Sequence, residues 1–130
     1  MEALRQAHYP ASLNQVPAHV SLFHQLPGRE LDAVRRRVKA LCGQLPPPEI
    51  AFTGVALRDA GVAYKLRSPD LAGFRAELAD GWDTLLIPQD RAGFQPHLTI
   101  QNKVSSQEAR ASWRALVAAF EPFVTTAPAI

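Results

Sequence analysis

The 130-residue sequence predicts an α+β domain with helices packed against antiparallel sheet. Three observations lead there. Runs with a two-residue hydrophobic period alternate with runs whose apolar residues fall three and four apart; two alternating runs are joined closely enough to form a hairpin; and prolines stand between most of the periodic segments.

Residues 13–17 read as a loop or extended lead-in, after which AHVSLFHQL over 18–26 alternates polar and apolar residues until Pro27-Gly28, predicting a strand. Leu31, Val34, Val38 and Leu41 then share one helical stripe, with Arg35, Arg36, Arg37 and Lys39 mostly outside it. This helix should end near Gly43 and the Pro46-Pro47-Pro48 run. The apolar, β-compatible stretch 50–57 and the alternating Val62, Tyr64 and Leu66 are separated by Arg58-Asp59-Ala60-Gly61, which predicts a β-hairpin. Ser68-Pro69 supplies an N-cap and first-turn proline for a second helix bearing Leu71, Phe74 and Leu78. The second half of 82–95 reads as a loop, and PHLTIQNKV over 96–104 as a strand. Ser105 and Glu108 form a capping-box pattern ahead of Ala109, Trp113, Leu116, Val117 and Phe120, and the tail from Pro122 reads as a short edge strand or irregular chain.

Composition narrows the function. Hydrophobic residues make up 47% and charged residues 20%, a balance that excludes disorder and supports one domain over 1–130. No apolar run approaches a membrane span and the N-terminus lacks a secretory layout, so a cytoplasmic protein without membrane contact is expected. A net charge of +2 is far from the dense basic pattern of many nucleic-acid binders, and the single cysteine, Cys42, reads as a small hydrophobe.

The candidate chemistry lies in two segments of one design. Pro17-Ala18-His19-Val20-Ser21-Leu22 and Pro96-His97-Leu98-Thr99-Ile100 each read histidine, apolar, hydroxyl, apolar, with the histidines 78 positions apart. On a strand, His19 and Ser21 face one way and Val20 and Leu22 the other; His97 and Thr99 oppose Leu98 and Ile100 in the same manner. Two imidazoles facing one cleft suit phosphodiester cleavage, one deprotonating the attacking oxygen and the other protonating the departing one. Ser21 and Thr99 could donate hydrogen bonds to the non-bridging phosphate oxygens. Which histidine is acid and which is base stays open.

These residues resemble the two-histidine phosphoesterases, the 2′-5′ RNA ligase-like superfamily, whose members carry a pair of H-x-[ST]-x motifs, here HVSL at His19 and HLTI at His97. PAHVSLFHQLPG, GVAYKL and QDRAGFQPHLTIQNKV look like the equivalent stretches of a compact bacterial branch. The resemblance implies a bilobal α+β fold of antiparallel sheets with outer helices, pseudo-twofold symmetry around a central cleft, and no cofactor or metal. It implies a phosphoesterase acting on nucleotide or RNA phosphoesters such as 2′,3′-cyclic phosphates or 2′-5′ linkages. The alternative is a nucleotide- or RNA-binding module of the same fold with weak catalysis. Members usually carry a strand before an LRQAHYP-like helix and another after the last helix, whereas eighteen residues precede His19 and the sequence ends at Ile130, which leaves open whether the terminal strands are lacking.

Further contacts are read beside plainer roles. Phe23 shares the His19 face and could stack a base or simply pack. Gln101 and Lys103 share the His97 face and could reach a phosphate, Lys103 reading equally as a solvated strand end. Lys65 and Arg91 are candidate anion contacts; His24 falls on the opposite strand face and reads as packing or capping Pro27-Gly28. The Arg35-Arg36-Arg37 run reads as the wet side of a helix. Zinc is disfavoured because the motif partners are hydroxyls and the cysteine is isolated. A serine hydrolase is disfavoured because Ser21 stands ~6.6 Å along a strand from His19 and no G-x-S-x-G occurs.

Overall fold

The computed structural model describes residues 2–9 and 16–130, so the lead-in read over 13–15 lies outside the described residues. The elements are α1 (Glu2–His8), a 3₁₀ turn (Gly28–Glu30), α2 (Leu31–Gln44), β1 (Glu49–Arg58), β2 (Gly61–Arg67), α3 (Pro69–Gly81), α4 (Pro88–Arg91), β3 (His97–Gln101), α5 (Ser106–Ala119) and β4 (Phe123–Thr126). The fold is α+β with a four-stranded antiparallel sheet in the order β3-β2-β1-β4. Among the described residues no helix is long and apolar enough to cross a membrane.

The hairpin forms as alternation and the Arg58–Gly61 turn predict, with Val55 opposite Tyr64 and Leu57 opposite Val62. Ser68 caps α3 by accepting from the Leu71 N–H at 3.0 Å, and Ser105 caps α5 by accepting from the Glu108 N–H at 3.1 Å. Helix α2 runs through Gly43 to Gln44 and stops where Leu45 turns extended, because a residue preceding proline is pushed out of helical conformation. The segment read as a loop contains the short α4, started by Pro88. Of the two readings of the tail, the short edge strand is the one that forms, as β4.

The largest correction concerns 18–26, where alternation predicts a strand. Only Val20 pairs, in an isolated antiparallel bridge with Leu98. Pro17 has no N–H to give a ladder. Farther on, the His24 and Gln25 N–H groups go to the Asp90 carboxylate and the Leu22 carbonyl goes to Arg75. A buried carboxylate and a guanidinium have taken the backbone groups a sheet would use.

The chain divides into two compact units. One joins Met1–Ser21, Ala51–Arg67 and Pro96–Phe123; its core is the apolar face of β2 and β3, where Val62, Tyr64, Leu66, Leu98 and Ile100 are buried, with Ala109 and Leu116 of α5. Phe52 stacks on Phe123 at 4.4 Å and meets the Tyr64 edge at 5.7 Å, while the Trp113 indole N–H donates to the Val55 carbonyl. The other joins Leu22–Ile50, Ser68–Gln95 and Val124–Ile130 around Phe74, Leu78, Trp82 and Leu86, against which Val34, Val38 and Leu41 of α2 pack. Leu31, the first member of the predicted stripe, is exposed. Arg35 and Arg36 are on the solvated side of α2 as expected, but Arg37 donates to the Glu77 carbonyl, and Gly81 leaves the room its guanidinium occupies.

Gly61 opens β2 under the chain leaving β3, and a Cβ there would stand 1.8 Å from the Gln101 carbonyl oxygen. That neighbour is backbone and cannot step aside, whereas a Cβ at Gly73 in α3 meets open space. Gly61→Ala should therefore cost at least about 2 kcal/mol, and Gly73→Ala should stabilise by up to about 1 kcal/mol; urea midpoints of the two variants check both signs.

Candidate active site

The bridge between Val20 and Leu98 fixes the register of the two motifs. Continued one residue to each side, that antiparallel register would set His19 opposite Thr99 and Ser21 opposite His97; the pairing itself is confined to Val20 and Leu98. Leu98 is buried and Val20 half-buried at the bridge. On that register His19 and His97 would be diagonal neighbours, a relation that sets residues roughly 7–8 Å apart with their Cβ atoms somewhat closer. His19 and Ser21 are exposed; His97 and Thr99 are half-buried.

The His19 Nδ1 lies 2.7 Å from the Pro17 carbonyl oxygen. A carbonyl only accepts, so Nδ1 must carry the hydrogen, and in the neutral ring the lone pair belongs to Nε2. The local chain thereby selects the tautomer of the neutral ring.

Helix α1 ties the same two segments together. Arg5 is 3% exposed; its Nε donates to the Thr99 carbonyl at 3.0 Å and its Nη1 to the Val16 carbonyl. Glu2 lies 3.9 Å from Arg5 Nη1 and accepts from the Ala18 N–H. The Arg5 guanidinium also rests 4.9 Å from the centre of the Tyr9 ring.

Two H-x-[ST]-x segments meet at one bridge, and a family model described as the 2′-5′ RNA ligase superfamily matches residues 1–129. The chain belongs to the 2′-5′ RNA ligase superfamily. No curated protein sequence matches it significantly.

On this superfamily framework Lys65 is the sequence-read contact nearest the motifs. It stands opposite His97 on β2, on the side away from Ser21, and it is exposed. Its neighbours are small: Ala63 opposite Thr99 and Gly54 opposite Lys65, where a Cβ would touch the Lys65 stem at 3.7 Å.

The other residues read as possible contacts have these surroundings. Gln101 does not share the His97 face, because the register shifts between Val62 and Ala63 and turns it toward α5. It is 3% exposed and donates to the Ser112 hydroxyl at 3.0 Å, leaving its own carbonyl oxygen buried without a partner. Lys103 lies beyond the end of β3, in a turn where its φ of 58° removes it from strand alternation. Phe23 packs edge-on to Trp82 at 5.4 Å with the Arg75 guanidinium 4.6 Å over its ring, so the packing role holds. Arg91 donates to the Asp83 carbonyl at 2.7 Å. A shallow cavity of about 480 Å³ beside α2, bordered by Arg36, Gln44 and Glu77, includes none of the motif residues.

His24 neither packs nor caps Pro27-Gly28. Its backbone N–H and ring Nδ1 both bond the Asp90 carboxylate, the ring at 2.7 Å. Asp90 is 1% exposed, and the backbone carbonyl of the same residue accepts from Arg75 at 2.6 Å. Sequence reading missed Arg5, Glu2, Asp90 and Arg75. Arg75 carried a signal: with Leu71, Phe74 and Leu78 it falls on the buried stripe of α3, where a charge needs a partner.

Burial alone would raise the Asp90 pKa, but the hydrogen bonds from His24 and Gln25, with the charge interaction with the His24 ring, hold it below the ordinary 3.8. A depressed carboxyl contributes stability that is fully present above its unfolded pKa and is lost as pH falls through its folded pKa. Unfolding free energy should therefore drop progressively below about pH 5, and Asp90→Asn should be less stable at neutral pH with that acid slope reduced; urea titrations from pH 3 to 7 measure both.

Proposed function

We propose that this chain is a metal-independent phosphoesterase that opens cyclic or 2′-linked nucleotide or RNA phosphoesters, 2′,3′-cyclic phosphates among them, by acid-base catalysis between His19 and His97. The observation that supports the reading is the Val20 to Leu98 bridge, which brings the two H-x-[ST]-x segments side by side in a register that would set His19 opposite Thr99 and Ser21 opposite His97.

In hydrolysis one imidazole takes a proton from water as the water oxygen bonds to phosphorus. The bond to the 2′ or 3′ oxygen breaks, and that oxygen takes a proton from the other ring, which begins protonated. One ring has gained a proton and the other has lost one, so exchange with solvent resets the pair. The His19 bond to Pro17 supports this cycle, since Nδ1 keeps its hydrogen in both protonation states and Nε2 remains the exchanging atom. Ser21 and Thr99 hydroxyls donate to the non-bridging oxygens, whose charge rearranges in the transition state. Lys65, one strand beyond His97, attracts the substrate's anionic charge without entering the proton transfer. The cleft between two lobes that the family resemblance implies belongs to the same reading.

Hydrolysis of 2′,3′-cyclic nucleotides should persist in EDTA. His19→Ala and His97→Ala should each lower kcat on the order of 10²- to 10⁴-fold with little change in thermal stability. Lys65→Ala should raise KM and leave kcat near the parent value. Chromatographic product assays decide the matter: activity abolished by chelation, or untouched in either histidine variant, removes the mechanism. Tight nucleotide binding with no product would favour a binding module instead.

A further inference from the structure

We propose that Arg5 is a positioning residue of this site, the group that holds the two histidine segments at the spacing a shared phosphate needs. The inference rests on the two-histidine reading above and adds the device that sets the distance.

The need arises from the backbone. β3 is anchored along its inner edge by β2, with Lys65, Tyr64 and Ala63 opposite His97, Leu98 and Thr99. The first motif has no comparable anchor, since its one bridge is at Val20 and Pro17 offers no donor. A single bridge restrains a segment weakly, because stability in a ladder comes from consecutive pairs.

Arg5 supplies what the ladder lacks. Its Nε reaches the carbonyl of Thr99, the residue after bridged Leu98, and its Nη1 reaches the carbonyl of Val16, three residues before His19. One planar group with two donors fixed relative to each other sets the separation of the two segments, which the single ammonium of a lysine on a flexible stem cannot do. Glu2 completes the staple by holding the Ala18 N–H next to His19 and offsetting the buried charge. None of these atoms needs to touch substrate. Displacement of a reacting group by about 1 Å can cost 10²-fold in rate, so losing the staple should act on His19 and leave His97 seated in its sheet.

The test follows both imidazoles by nitrogen-detected NMR, with inorganic phosphate as the probe and the full chain as the protein. In the parent protein both rings should respond with one Kd. In Arg5→Met the His97 ring and the β2 and β3 amides should keep their parent shifts, while the His19 response weakens at least tenfold and amide exchange at Val20 accelerates. Arg5→Lys should restore thermal stability but not the joint response. If Arg5→Met does not fold, Glu2→Ala, whose side chain is partly exposed, is read by the same criteria. An unchanged joint response in the variant overturns the positioning role and leaves the two-histidine reading standing. Equal loss at both rings with disruption of the sheet amides overturns it too, by assigning Arg5 to the fold alone. No response of either ring in the parent protein overturns the shared-phosphate reading and this inference with it.

Discussion

Between Val20 and Leu98 the backbone makes one antiparallel bridge, and it joins the two H-x-[ST]-x segments. The bridged residues are apolar, Leu98 buried and Val20 half-buried, while His19 and Ser21 beside them are exposed. The same parity that buries Leu98 and Ile100 leaves His97 and Thr99 partly accessible. A shift of pairing by one residue would put imidazoles into the core and leucine toward solvent, which makes the register costly to lose.

The other compact unit is held by a different physical device. Around Leu22, Phe23 and His24 the chain has no strand partner, and its polar backbone groups must still be satisfied. Arg75 takes the Leu22 carbonyl and the Asp90 carbonyl, lies between the rings of Phe23 and Phe94, and remains 8% exposed. The Asp90 carboxylate collects the His24 and Gln25 donors. Both Asp90 carboxylate oxygens and two of the Arg75 donors are hydrogen-bonded, the condition under which burial of a charge is tolerated.

How much of this was legible follows from the range of each interaction. The caps at Ser68 and Ser105, the hairpin and the stripes of α2 and α5 depend on neighbours within a few residues, and sequence pattern reads such relations directly. The paired H-x-[ST]-x segments were visible for the same reason, and the superfamily match covers them. What the pattern could not disclose was where 18–26 finds its hydrogen bonds, because the partners stand 53 to 66 residues away in Arg75 and Asp90. Alternation signals extended chain but not a neighbour for it. Gln101 misled for a related reason: one register shift reverses the face of every later residue, and no residue type announces it. Arg5 looked like an ordinary helix-surface arginine until its two carbonyl partners, 94 and 11 residues distant, came into view.

The two edges of the sheet meet opposite needs. On β3 the outer edge is occupied by the Val20 bridge and the Arg5 guanidinium. On the far side β4 is exposed along all four of its residues, with Val124 59% accessible, and an uncovered strand of that composition can template pairing with another chain. Its brevity, between Pro122 and Pro128, is the safeguard: neither proline can donate to a growing ladder, so an incoming strand finds too few hydrogen bonds to stay. Lengthening this segment or replacing either proline would trade a solubility guard for a polymerisation seed.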